Sequence, residues 1–231
     1  MDSIVRYVRD SRGKHLRPIL VLLSAKLFSD VNQETFISAT IAEMIHSATL
    51  IHDDVVDDDD IRRGQSSVKA RWGNSTAVLA GDYLLAKAML MLIQLGDFDI
   101  MQEMLYTAAA MSEGELFQNA ATEESKVVSQ EAYLDIITRK TAMLMRTCCS
   151  MGALSVKAPT EQVEKIASFG LNFGILFQLR DDILDNENAE IAQALLPTYL
   201  EKAMQDLDGF EPSNIVDALH NLTVFCAERE G

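Results

Sequence analysis

Apolar residues recur at three- and four-residue intervals along almost the whole chain, as in Ile19, Leu22, Leu23 and Leu27, or Ile41, Ile45, Ala48 and Ile51. Alternating apolar and polar runs are nearly absent. That period is helical, so the expected fold is all-α. Ala, Leu, Met and Glu fill the segments, and breakers gather at Arg63-Gly64-Gln65-Ser66-Ser67, Gly73-Asn74 and Leu95-Gly96-Asp97. The pattern predicts helices over 18–29, 33–57, 75–95, 97–120, 130–152, 160–185, 188–206 and 211–229. Many are apolar on more than one face, as helices at the centre of a bundle are. No Gly/Ser- or Pro-rich linker divides the 231 residues and the four prolines stand singly, so a single domain over 1–231 is expected: a large helical bundle with a site between its helices.

Two copies of one acidic pattern interrupt this apolar background, Asp53-Asp54-Val55-Val56-Asp57 and Asp181-Asp182-Ile183-Leu184-Asp185. Carboxylates one and four positions apart project from neighbouring faces of one helical turn and repel unless a cation sits between them. Both runs also fall near helix C-termini, where the macrodipole disfavours negative charge. A hard divalent ion relieves both problems. Mg²⁺ takes one or two carboxylates, keeps several waters and completes its shell with phosphate oxygens, so the pair points to metal-bound diphosphate. The first run taken alone could be a solvated acidic face, since Asp57 to Asp60 are consecutive. The second sits among Phe169, Phe173, Ile175, Leu176, Phe177 and Leu179, where aspartates need partners. An EF-hand loop does not fit, because neither run has the glycine and glutamate that loop requires.

The formal net charge of −15 argues against a nucleic-acid partner. Three cysteines, two of them adjacent at 148 and 149, give neither a disulfide framework nor a zinc spacing, and read as small core residues. The chain shows no secretory pattern, and no apolar stretch is read as long enough to span a bilayer, which sets the expectation of no transmembrane segment and a cytoplasmic location.

Gly13-Lys14-His15-Leu16-Arg17-Pro18, then Ile51-His52-Asp53-Asp54-Val55-Val56-Asp57 followed by Arg62-Arg63-Gly64, then Ser112-Glu113-Gly114-Glu115, Lys140-Thr141 and Phe177-Gln178 through Asp185, together resemble the all-trans isoprenyl diphosphate synthases, and within them the long-chain, octaprenyl-like members. The motifs stand in the family order over about residues 4–185. The resemblance implies the isoprenoid-synthase bundle, a homodimer, and head-to-tail condensation of an allylic prenyl diphosphate (farnesyl or geranylgeranyl) with isopentenyl diphosphate. It further implies that Asp53, Asp54, Asp57, Asp181, Asp182 and Asp185 hold two or three Mg²⁺ ions, with Mn²⁺ as the alternative. Arg62, Lys140, Thr141 and Gln178 would surround the allylic diphosphate, and Lys14, Arg17, His46 and Arg63 would bind isopentenyl diphosphate without metal. Arg offers a planar fork to phosphate oxygens and Lys a point charge, which suits both tasks.

In this family the positions four and five before the first aspartate lie one turn below the metals. Here they are Thr49 and Ala48, both small, so the floor is expected open and the product long, of the class that feeds quinone side chains. Met89, Met91, Met101, Met104, Met143 and Met145 read as core filler that also suits a tunnel for a growing chain. The pattern breaks after Asp185: the family's glycine-lysine run and second lysine, expected to contact the allylic diphosphate, have no counterpart, and Lys202 is the only lysine after Lys165. Two other readings share these features. One is a non-catalytic or regulatory subunit of a heteromeric prenyl synthase, which retention of both complete aspartate triads opposes. The other is a class I terpene cyclase, which would have no use for the second diphosphate site of Lys14, Arg17 and Arg62-Arg63.

Overall fold

A computed structural model describes residues 2–10, 13–62, 64–123 and 129–230. In chain order they form α1 (Asp2–Arg9), α2 (Leu16–Phe28), α3 (Gln33–Val56), a two-stranded hairpin of β1 (Ile61–Arg62) and β2 (Gln65–Ser66), α4 (Val68–Trp72), α5 (Asn74–Leu95) and α6 (Phe98–Glu123). After these come α7 (Gln130–Ile137), a π-helical turn (Thr138–Ala142), α8 (Met143–Ser155), α9 (Thr160–Asp185), α10 (Ala189–Asp208) and α11 (Asn214–Glu228). The all-α expectation holds, and its eight helices correspond to observed ones to within a few residues. Sequence periodicity missed α1, α4, the hairpin and the π turn, which splits the segment expected as one helix over 130–152.

Local chemistry fixes the ends. Asn32 and Thr35 form a reciprocal capping box at the start of α3, and the Asn32 amide also donates to the Ser155 carbonyl at 2.8 Å, tying that start to the end of α8. Gly96 closes α5 at φ 72° and Asn186 closes α9 at φ 58°, both in the left-handed region a helix C-terminus favours.

Helix α8 is the axis of the core. Leu144, Met145, Cys148, Cys149, Met151 and Ala153 are all buried among side chains of α2, α3, α6 and α9. Gly152 lets α2 approach, since a Cβ there would lie 2.3 Å from the Val21 carbonyl oxygen. Burial pushes the Cys149 thiol up to about 12 and that of Cys148 higher still, so both are inert core residues as expected. A second apolar cluster joins α3 to α5 through small residues, with Ala48, Ala77 and Ala80 buried beside Ile51 and Leu84.

One helix among the described residues bears on the expectation of no transmembrane segment without overturning it. Helix α5 is long and apolar enough to cross a bilayer by length and composition. It carries Asp82 and Lys87, packs one face on α3, and leaves Leu79, Tyr83, Leu90 and Ile93 exposed along the other.

Candidate active site

Residues 46, 49, 53 and 57 are spaced by three and four, so α3 presents them on one face; on α9 the same spacing aligns Phe177, Gln178 and Asp181. These two faces meet across a cavity of about 660 Å³, lined by His46, Thr49, Asp53 and Asp57 on one side and Phe177, Gln178 and Asp181 on the other. Lys14, Arg17, Arg62, Lys140 and Thr141 complete the ring, and Met111 lies in the lining as well. Eleven of the residues singled out in the sequence are thus brought together by elements far apart in the chain.

The aspartates divide. Asp53, Asp57 and Asp181 line the cavity, whereas Asp54 and Asp182 are buried beside it with protein partners, and Asp185 is exposed and outside the lining. Arg62 pairs with Asp54 at 2.6 Å and reaches Asp59 at 3.2 Å. The buried Lys69 pairs with Asp58 at 2.5 Å and Asp60 at 3.5 Å. The stretch from Asp58 to Asp60 is therefore a folded ion-pair cluster. It turns at Asp58, φ 58°, into the hairpin that carries Arg62.

Lys14 enters from the turn before α2, where His15 takes φ 46° and pairs with Glu43 of α3 at 3.0 Å, and Arg17 from the first turn of α2 itself. Glu43 itself lines the cavity. Arg63 lies outside the described residues.

The π turn has a visible purpose. A wide turn inserts a residue into a helix, and such turns gather at functional sites; here it lets the consecutive Lys140 and Thr141 both face the cavity. Two glycines let neighbours close on it. A Cβ on Gly114 of α6 would sit 2.8 Å from Arg139 Cβ and 3.0 Å from Lys140 N, and one on Gly174 of α9 would sit 2.6 Å from Ala142 Cα. That approach lets Glu115 pair with Lys140 at 2.7 Å and Glu113 with Arg139 at 2.7 Å, which accounts for the Ser-Glu-Gly-Glu run. Thr141 Oγ1 donates to Gln178 Oε1 at 2.8 Å, and Gln178 Nε2 donates to Asp182 Oδ1 at 2.7 Å. The other oxygen of Asp182 accepts from the buried Tyr133 hydroxyl. Burial and the adjacent carboxylate push that hydroxyl well above its ordinary range, so it remains a donor.

Sequence reasoning missed Glu43, Tyr133 and Arg229 as site residues. Arg229, just past α11, lines the cavity and ion-pairs with Asp181, with its guanidinium 4.4 Å from the centre of the Phe177 ring. No local periodicity marks a single arginine 48 positions away from its partner.

The two floor positions also separate. Thr49 lines the cavity, while Ala48 is fully buried in the cluster between α3 and α5.

Electrostatically the cavity suits a hard cation and an anion together. Burial, the nearby Glu115 and, further down, Asp57 push the Asp53 carboxyl up to about 6 against the pull of Lys140 and Arg62, a crowding that a bound cation relieves. Burial also raises Asp181, against the pull of Arg229 and Lys14. Among the described residues no three carboxylates, imidazoles or thiols converge on a single ion.

The all-α bundle, with aspartates on facing helices and Lys and Arg around the same cavity, has the isoprenoid-synthase fold. The family model described as polyprenyl synthetase matches residues 1–194, and the chain belongs to that family. It is 39% identical over 181 residues to heptaprenyl diphosphate synthase component 2 of Geobacillus stearothermophilus, covering 77% of this chain and 55% of that protein. It is 35% identical to the nonaprenyl diphosphate synthase of Mycobacterium tuberculosis, covering 85% of this chain and 58% of that one. The chain therefore spans little more than half the length of these relatives. In structure it is similar to a decaprenyl diphosphate synthase from Rhodobacter capsulatus, with TM-score 0.89, 26% identity, and 99% and 90% of the two chains covered. A polyprenyl synthase from Caulobacter crescentus CB15 complexed with calcium and isoprenyl diphosphate gives TM-score 0.87 at 26% identity over 95% and 86%.

Proposed function

We propose that this chain is a metal-dependent prenyltransferase that condenses an allylic prenyl diphosphate with isopentenyl diphosphate, head to tail, to a long-chain all-trans product. The observation that carries the reading is that Asp53, Asp57 and Asp181 share one cavity with Lys14, Arg17, Arg62 and Lys140. Acids alone would repel a diphosphate and bases alone would not need metal; the combination suits a metal-bridged anion.

Asp53 and Asp57 on one wall and Asp181 on the other would hold the Mg²⁺ ions, which supply Lewis-acid stabilisation of the departing diphosphate. The chain's own residues do the rest. Lys140 donates to that diphosphate where its charge develops, beside a relay in which Thr141 donates to Gln178 and Gln178 to Asp182, whose other oxygen accepts from Tyr133. Lys14, Arg17 and His46 orient isopentenyl diphosphate so that its double bond lies beside the allylic carbon being released, a positional contribution worth several kcal/mol.

The floor supports a long product. Thr49 is small, and the core beneath is rich in unbranched methionines, Met44, Met104, Met111 and Met145 among them, whose side chains can rearrange around a lengthening chain. A second copy of the chain is the proposed partner. Phe98, Leu105 and Leu116 of α6 recur at intervals of seven and eleven, so they share one face, and they stand exposed, as does the stripe of α5. A pair of copies would cover both.

The test is incubation of the purified chain with farnesyl diphosphate, labelled isopentenyl diphosphate and Mg²⁺, with and without chelator, followed by chain-length analysis. Chelator-sensitive long products support the proposal. The similar Geobacillus protein is named as one component of a synthase; a chain inactive alone that raises another synthase's rate would favour the subunit reading instead.

A further inference from the structure

Arg229 stands on the wall of the cavity formed by the second aspartate run. Between Arg180 and Lys202 the sequence has no Lys or Arg, so the run brings no cation of its own on the side toward α10. By contrast, the first run is followed by Arg62, engaged with its Asp54, and by Lys69, engaged with the adjoining Asp58.

Arg229 fills that gap from the far end of the described chain. Its backbone is anchored, because Arg180 donates from Nε at 2.9 Å and from Nη2 at 2.5 Å to the Arg229 carbonyl. Its side chain is mostly buried, with Nη2 donating to Asp181 Oδ1 and, at 3.3 Å, to the Phe177 carbonyl, while Nε has no hydrogen-bond partner among the described residues. A fixed backbone, a fork only partly used and a carboxylate that a divalent ion would also claim make an exchangeable contact. Arg is the side chain best shaped to pass from a carboxylate to a phosphate, because its planar fork fits both.

We propose that Arg229 is a diphosphate-binding residue held in reserve on Asp181, leaving it for the substrate's diphosphate when Asp181 turns to ligate a metal ion. The inference rests on the reading of the cavity as a diphosphate site. Asp181 and Arg229 are each other's counter-ion in the unliganded chain. In the loaded chain each has a better partner.

The exchange makes two affinities move in opposite directions. Arg229→Gln and Arg229→Lys are compared with the unaltered chain by calorimetric titration, once with Mn²⁺ alone and once with inorganic pyrophosphate in the presence of Mg²⁺. Arg229→Gln is expected to bind Mn²⁺ several-fold more tightly, since a competing cation is gone, and Mg²⁺-pyrophosphate about tenfold more weakly, for loss of a charge-assisted bond. Arg229→Lys, which keeps the charge without the fork, is expected to fall between on pyrophosphate, and it carries the test if the glutamine variant does not fold. An unchanged pyrophosphate affinity, an unchanged Mn²⁺ affinity, or a fall in both together overturns the proposal and leaves Arg229 a structural pin. If the unaltered chain binds no Mg²⁺-pyrophosphate, the reading of the cavity fails first; if it binds and the variants bind alike, only this inference falls.

Discussion

The two aspartate runs share one spacing and come out of the fold as different devices. At the end of α3 the chain turns back through Asp58 into a hairpin, and the cations it delivers, Arg62 and Lys69, take Asp54, Asp58, Asp59 and Asp60, leaving Asp53 and Asp57 to the cavity. At the end of α9 the chain reverses at Asn186 directly into α10, so Asp181 is met by Arg229 from α11's end and Asp182 by Tyr133 from α7. A repeated motif fixes where carboxylates can point. The path of the chain beyond each motif decides which of them face a ligand.

That contrast is broken or sharpened by substitutions of graded effect. The largest is expected for Asp53→Asn, with a loss of about 10³-fold in turnover measured by labelled isopentenyl diphosphate incorporation, because in the proposed reaction this carboxylate would hold a metal ion that stabilises the transition state by several kcal/mol. Lys140→Ala comes next at about 10²-fold, the range for removing one donor from a developing anion. Asp54→Asn acts elsewhere: it weakens the pair with Arg62, so urea unfolding should register a loss of about 1–3 kcal/mol along with a weaker substrate KM.

Thr49→Phe should shorten the product distribution with little change in initial rate. It is a cleaner probe of the floor than Ala48→Tyr, which would overpack the contact of α3 with α5 at about 1–3 kcal/mol and confuse length with stability. The smallest effect is expected for Asp185→Asn, within about threefold of the unaltered rate, since Asp185 is solvent-exposed and its pattern-equivalent Asp57 is not its structural equivalent.

Much of the molecule is legible in its residues, and the reasons for the rest are physical. Long apolar periodicity locates α3, α5, α6 and α9 because burial of one face is what forms them. It does not find α1, whose Arg6 and Arg9 read as polar and whose Ile4 and Tyr7 are held by distant contacts, Ile4 in the cluster of α3 and α5, the Tyr7 ring against Trp72 and its hydroxyl donating to the Ser66 carbonyl at 2.6 Å. Nor does it find the π turn, since Thr138 to Ala142 continue the helical pattern and the bulge lies where α6 and α9 close on it through Gly114 and Gly174. The cavity residues that belong to motifs can be picked out by pattern. Tyr133 and Arg229 cannot, being single polar residues 49 and 48 positions from their aspartates and joined to them only by tertiary structure.

The most direct test of the unequal runs is side-by-side incorporation of labelled isopentenyl diphosphate onto farnesyl diphosphate by the unaltered chain, Asp53→Asn and Asp185→Asn, each with Mg²⁺ and with chelator. The expected result is chelator-sensitive long products from the unaltered chain and from Asp185→Asn, and almost none from Asp53→Asn. Equal losses in the two variants would contradict the division of the runs, and no incorporation by the unaltered chain would contradict the prenyltransferase reading itself.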